Sequence, residues 1–223
     1  MPGKEMEKDI PRILCNGLGI ERGRSSIVSG IILAGGRSSR MGADKAFLKV
    51  GGGILIEGII RKLSQLSQEI IIVSDSPLRY ERFKAKLVED IYPGRGALGG
   101  IYSGLKEAES FHSLVVACDM PFLNLSLLGY MLTLRAGYDV VLPRLGEYRE
   151  ALHTIYSQRC LFPLKKHLEE GRLKILDFLP QVRVRYVEEE EIALHDPQHL
   201  SFFNINTLAD LELAHKIAAE GVL

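Results

Sequence analysis

The sequence predicts an α/β fold, with a mostly parallel sheet covered on both faces by helices. Two observations carry this reading. Short apolar runs alternate along the chain with segments of helical periodicity, the pattern of repeated strand–helix–strand units. The first convincing run, residues 28–33, is almost wholly apolar, as a strand buried on both faces must be. A chain of 223 residues is long enough to bury a sizeable core within one domain.

The elements follow in order. Strands are expected at 30–33, 70–73, 87–88, 113–117, 139–142, 152–156, 183–187 and 201–205. Between them, 55–66 places Leu55, Ile56, Ile59, Ile60, Leu63 and Leu66 on one helical face, and 97–108 and 125–135 read similarly. A last helix begins after Thr207, with Asp210 three residues on, a capping-box variant whose acid is shorter than the usual Glu. Glu188 to Glu191 is the one block of like charge and reads as a solvated loop. Residues 1–27, with scattered glycines and charges, read as an extension that is partly disordered or packed on the surface. Residues 28–223 then form a single domain.

Composition narrows the function. Apolar residues make up 46% and charged residues 25%, ordinary for a soluble domain. The formal net charge is zero. A general binder of nucleic acid or of an anionic membrane surface needs a basic excess, so neither partner is expected and any anion site is local. Cys15, Cys118 and Cys160 form no C-x-x-C pair and are odd in number, which argues against a disulfide framework or zinc site and for a reducing cytoplasm. No apolar run nears the roughly 18 residues of a membrane span. The first residues lack the apolar region of a signal peptide. The expected location is cytoplasmic.

The most informative stretch is Ile31-Ile-Leu-Ala-Gly-Gly-Arg-Ser-Ser-Arg-Met-Gly-Ala-Asp-Lys45. A buried strand breaks into glycines and cations. Gly35 and Gly36 allow close backbone approach to a phosphate, Lys45 offers a point charge, and Arg37 or Arg40 a bidentate fork. Such a loop suits a polyanion such as a nucleoside triphosphate. It is not a Walker A loop. From Gly36 the next glycine is Gly42, one residue too far, and Ala43-Asp44-Lys45 stands where Gly-Lys-Ser/Thr would.

Leu33-Ala-Gly-Gly-x-Ser-x-Arg-Met-Gly-x-Asp-Lys45 resembles the signature loop of molybdenum cofactor guanylyltransferases, and the resemblance runs with gaps from about Ser29 to the C-terminus. It implies a three-layer Rossmann-like nucleotidyltransferase fold. The implied substrates are GTP and molybdopterin, the implied metal Mg²⁺, and transient contact with other molybdenum cofactor proteins falls within it. The sugar-nucleotide and cytidylyl branches usually spell this loop with Ala-Ala-Gly, so the Gly-Gly and Asp-Lys spellings favour the guanylyl branch. By resemblance, Leu33, Ala34 and Gly35 contact the nucleotide and Lys45 binds its phosphates.

Ligands of a parallel sheet bind beyond the carboxyl ends of its strands. The strand 113–117 ends in Cys118-Asp119-Met-Pro121, a carboxylate followed by a proline that stops pairing. Mg²⁺ commonly takes one or two carboxylates beside phosphate oxygens, which suits Asp119, and Asp119 matches the family's magnesium ligand. Asp90, after Val88-Glu89, matches a family carboxylate that contacts the nucleotide. Where the family tends to have asparagine near the guanine, this chain has Ser74-Asp75. A carboxylate there can accept the guanine N1–H and exocyclic amine together, making Asp75 a candidate base reader. Asn204-Ile-Asn206-Thr resembles the closing family motif, with Asn206 the stronger candidate for the acceptor side. Glu150-Ala-Leu-His153 resembles a family strand in which Ala151 replaces a proline; His153 reads as a core histidine. Arg144, Arg149, Arg172 and Lys174 are equivalent candidates for the acceptor phosphate.

Gly94-x-Gly96-x-x-Gly99 with Asp119 twenty residues on outlines a dinucleotide fingerprint. Pro93 and the intervening Asp90–Tyr92 separate it from its strand, which argues against a nicotinamide enzyme. The expected activity is GMP transfer from GTP to the phosphate of molybdenum-molybdopterin, releasing diphosphate, with Lys45, Asp119 and Arg40 catalytic. A cytidylyl- or sugar-nucleotidyltransferase is the alternative.

Overall fold

The computed structural model describes residues 28–34 and 44–220. Strand β1 (Ser29–Leu33) is buried at all five positions, as its apolar run requires. After the 3₁₀ turn Lys45–Phe47 come two short antiparallel strands, β2 (Lys49–Val50) and β3 (Gly53–Ile54), joined through Gly51 and Gly52 at φ 60° and 82°. Helix α1 (Leu55–Leu63) buries Leu55, Ile56, Ile59 and Leu63, the stripe its periodicity predicts. Strands β4 (Glu69–Ser74) and β5 (Lys86–Glu89) lead to α2 (Gly96–Glu107), and β6 (His112–Ala117) to α3 (Leu125–Thr133). Asn124 caps α3, its side-chain oxygen accepting from the amides of Ser126 and Leu127. Then come β7 (Val140–Leu145), β8 (Tyr148–Arg149), β9 (His153–Ser157), α4 (Leu161–Glu169), β10 (Val184–Val187), α5 (Glu189–Ala193) and α6 (Leu208–Ala219).

The main sheet runs β10-β7-β9-β6-β1-β4-β5, with β8 hanging from β7. All pairs are parallel except those of β9 and the β7–β8 hairpin. The side chains of β1 alternate between two cores. Ile32 faces α1, α3, α5 and α6, and Ile31 faces α2 and α4. This is the three-layer α/β architecture the sequence predicts. Helix α2 rests on β1 so closely that a Cβ at Gly104 would lie 2.6 Å from Ile31 Cγ2. Leu33 is in register with Val73 of β4 and Ala117 of β6, and Val73 with Val88 of β5. Residues 34, 75, 90 and 118 therefore leave the sheet along one edge.

Two expectations are corrected. Residues 201–205 form no strand. Asp196 takes the amides of Leu200 and Ser201 on its two carboxylate oxygens (3.2 and 2.8 Å), curling the chain into the 3₁₀ turn Leu200–Phe202. The apolar residues there instead pack onto the core: Ile205 is fully buried and Phe202 and Phe203 partly so. The acidic block 188–191 is not a loop. Glu188 and Glu191 form a reciprocal capping box that starts α5. Glu191 also pairs with Arg185 at 2.5 Å, and Glu188 with Arg144 at 2.7 Å. Helix α4 and the β2–β3 and β7–β8 hairpins were not anticipated. The Thr207–Asp210 capping box forms as expected, in both directions.

Candidate active site

Three sequence-nominated residues from distant parts of the chain meet at the carboxyl edge. Lys45 Nζ lies 3.0 Å from Asp119 Oδ2 and 2.6 Å from Asn206 Oδ1. Lys45 opens the 3₁₀ turn Lys45–Phe47, and its predecessor Asp44 caps that turn by accepting from the Ala46 amide at 3.1 Å. Asp119 stands two residues past the end of β6, after Cys118. Its backbone carbonyl accepts from the Ile205 amide at 3.0 Å, which brings the 204–206 segment alongside. Asp210 Oδ2 accepts from the amides of Asn206 and Thr207 at 2.9 and 2.8 Å, fixing the segment's far end. The Lys45 and Asp119 side chains are 18% and 19% exposed, so their charges interact in a partly dried environment where attraction exceeds its value in water.

The other nominated residues stand as follows. Gly35, Gly36, Arg37 and Arg40 lie outside the described residues. Leu33 and Ala34 are buried. The Leu33 carbonyl accepts from Cys118 N at 3.1 Å and Ala34 N donates to the Val73 carbonyl at 2.9 Å, so these backbone groups complete the sheet. Asp75 is exposed just past β4. Asp90 follows β5, with Oδ1 accepting from Tyr92 N at 3.0 Å and Ser103 Oγ at 2.9 Å. Gly99 sits against that carboxylate: an added Cβ would come within 3.1 Å of both its oxygens and 2.9 Å of the Tyr92 carbonyl. Gly99, the last glycine of the fingerprint-like run, thus lets α2 close on the β5 end. Among the described residues no hydrogen bond ties Asp75 or Asp90 to the Lys45 cluster. The Asn204 amide donates to the Phe202 carbonyl at 3.0 Å and holds its own turn. Arg144 is spent on Glu188 and on the face of Tyr186, 4.6 Å from its centroid, and Arg172 on Glu170. Cys118 is buried, and burial pushes its thiol pKa up, away from nucleophile chemistry.

His153 is fully buried against Phe202, with ring centroids 5.2 Å apart. Neither ring nitrogen has a hydrogen-bond partner among the described residues. Burial holds its pKa down at about 4. An imidazole kept neutral in the folded state must take up a proton on unfolding in acid. Its contribution is therefore complete above the unfolded pKa of ~6.5 and is lost as pH falls towards 4, by up to about 3 kcal/mol. Urea unfolding at pH 7.0 and 4.5 should show a smaller acid loss for His153→Leu than for the wild type; equal losses would remove His153 from the acid limb.

Glu150 is a carboxylate next to the site that sequence reasoning did not single out. It is 5% exposed and precedes β9. Oε1 accepts from Leu152 N at 2.8 Å, and Oε2 accepts from the Tyr148 hydroxyl. Burial pushes its pKa up, and the charge of Asp119 adds to the rise. Because β9 runs against its neighbours, its beginning rather than its end reaches the functional edge. Leu152, through its carbonyl, accepts from Ala117 N at 3.1 Å.

A lysine that follows the first strand of the sheet meets an acid that follows a neighbouring strand, both at one sheet edge, an arrangement suited to a nucleotidyltransferase. Residues 30–184 match the model of the MobA-like NTP transferase domain. The chain is 40% identical over 190 residues to a probable molybdenum cofactor guanylyltransferase of Pelotomaculum thermopropionicum, covering 85% of this chain and 93% of that one. It is 36% identical over 196 residues to the molybdenum cofactor guanylyltransferase of Desulfosudis oleivorans, covering 87% and 97%. Molybdopterin-guanine dinucleotide biosynthesis protein A of Archaeoglobus fulgidus superposes with a TM-score of 0.76 at 29% identity, covering 86% and 100%. The chain belongs to the molybdenum cofactor guanylyltransferase family. A cytidylyltransferase of Thermus thermophilus (TM-score 0.66, 19% identity, covering 86% and 99%) shares the fold alone.

Proposed function

We infer that the protein transfers GMP from GTP to the terminal phosphate of molybdopterin, releasing diphosphate. The observation that carries this is the meeting of Lys45 with Asp119 and Asn206 at the sheet edge, in a chain of this family. Transfer between two anions asks for positioning and charge neutralisation rather than a covalent intermediate. The acceptor phosphate is already ionised at neutral pH, so no general base is needed. Lys45 neutralises phosphate charge, with Arg37 or Arg40 assigned the same task by its place in the sequence motif.

Mg²⁺ fits the residues present. Asp119 Oδ2 and Asn206 Oδ1 converge on one cationic group, the Lys45 ammonium, so two oxygen donors already face a point of positive charge. Mg²⁺ commonly takes only one or two carboxylates and completes its coordination with phosphate oxygens and water. Asp119, with Asn206 beside it, would hold the ion, which supplies charge neutralisation at the phosphates. No helix among the described residues is long and apolar enough to cross a membrane.

Diphosphate release with each of four nucleoside triphosphates, with and without molybdopterin, tests the reading. Signal that needs both GTP and molybdopterin is expected; signal with CTP or a sugar phosphate moves the enzyme to another branch. Asp75 is the proposed guanine reader. A two-point hydrogen-bonded pair typically discriminates by about 1–3 kcal/mol, so Asp75→Ala should erode the preference for GTP over CTP roughly tenfold. Unchanged selectivity would reduce Asp75 to a turn residue.

A further inference from the structure

We propose that Tyr80 is a positioning residue for Lys45, acting through Asp44. This rests on the reading above, in which Lys45 meets the phosphates. Tyr80 ends the 3₁₀ turn Pro77–Tyr80 between β4 and β5 and is fully buried. Its hydroxyl proton is shared between Asp44 Oδ2 at 2.8 Å and the Ala34 carbonyl at 3.2 Å. Ala34 closes β1, and Asp44 opens the turn that carries Lys45. One phenol therefore joins the strand that begins the nucleotide edge to the residue that roots its principal cation.

The Asp44 carboxylate is held on every side. Oδ1 takes the Ala46 amide at 3.1 Å, and Arg79 approaches Oδ2 at 3.2 Å. The Tyr80 ring stacks on Phe47, the last residue of the Lys45 turn, at 5.3 Å. Burial pushes the phenol pKa up, so the group stays a neutral donor throughout the working range. Lysine is a flexible stem bearing a point charge. Its ammonium is fixed at the far end by Asp119 and Asn206, and its backbone at the near end by the Asp44–Tyr80 contact. A misplacement of about 1 Å in a positioned group can cost on the order of 10²-fold in rate. Phenylalanine would fill the same space and keep the stack; the hydroxyl alone reaches Ala34 and Asp44.

Tyr80→Phe therefore isolates the contact. With diphosphate release as the signal, kcat/KM for GTP should fall about tenfold, with Tm lowered by no more than a few degrees. In a Lys45→Ala background the same change should cost less than twofold, because the group it positions is gone. Equilibrium binding of GTP to the same four proteins should show the same non-additivity. A Tyr80→Phe enzyme within twofold of the wild type, or one whose loss persists undiminished after Lys45→Ala, overturns the proposal. Failure of the wild type to release diphosphate from GTP with molybdopterin overturns the functional reading instead, and the binding cycle then decides on Tyr80 by itself.

Discussion

Asp119→Ala should lower the rate of GMP transfer by on the order of 10²-fold or more while leaving the fold intact, by analogy with losing one preorganised electrostatic group. The side chain supplies a negative oxygen 3.0 Å from the Lys45 ammonium, and alanine has nothing to put there. The structural duty of residue 119 is separate, since its backbone carbonyl holds the Ile205 amide at 3.0 Å and survives the substitution. Asp119→Asn keeps the shape and loses the charge, so it should fall near the alanine variant. Steady-state diphosphate release, with circular dichroism as the fold control, measures both. An alanine enzyme running at the full rate would refute the assignment.

Lys45→Met should cost a comparable factor, again on the order of 10²-fold in kcat/KM for GTP. Arginine should not rescue it, because a planar fork cannot replace a compact ammonium sitting between two oxygens. The variant carries a second signature. Without the ammonium, the Asp119 carboxylate oxygen and the Asn206 amide oxygen face one another with no cation between them, and the Asp119 side chain is 19% exposed. Millimolar Mg²⁺ should then raise the Tm of Lys45→Met more than that of the wild type, as binding to the folded state does. Equal shifts in the two proteins would mean that the two oxygens are not the ion's place.

Much of this was legible in the sequence, for reasons that can be stated. Strands β1, β4 and β6 are long apolar runs buried on both faces, and such runs are hard to mistake. Asp119 was legible because a carboxylate just past a buried parallel strand has few other reasons to be there. The stretch 201–205 has a strand's apolar content, but Asp196 captures the amides of Leu200 and Ser201 at its start, and a side-chain capture from four and five residues upstream leaves no periodic trace. The Glu188–Glu191 block looked solvated because its partners, Arg144 and Arg185, lie on two other strands. Glu150 escaped notice because β9 is reversed, and the rule that sites gather at strand ends points at Ser157, on the opposite edge. Tyr80 left no signal: an aromatic among charged residues acquires meaning only when Ala34 and Asp44 are seen on either side of its hydroxyl.

The order of the sheet bears on how the chain is made. Its first strand, β1, lies in the interior, flanked by β4 on one side and β6 on the other. A nascent chain that has emerged only as far as Glu107 can pair β1 with β4 and β4 with β5, but the other flank of β1 stays open until residues 112–117 arrive. That flank is an unpaired row of amides and carbonyls on a largely apolar strand, the kind of surface on which incomplete chains stick to one another. Synthesis stalled or truncated in the short span between α2 and β6 would leave that flank open, and such a fragment should aggregate more readily than one that extends past residue 117.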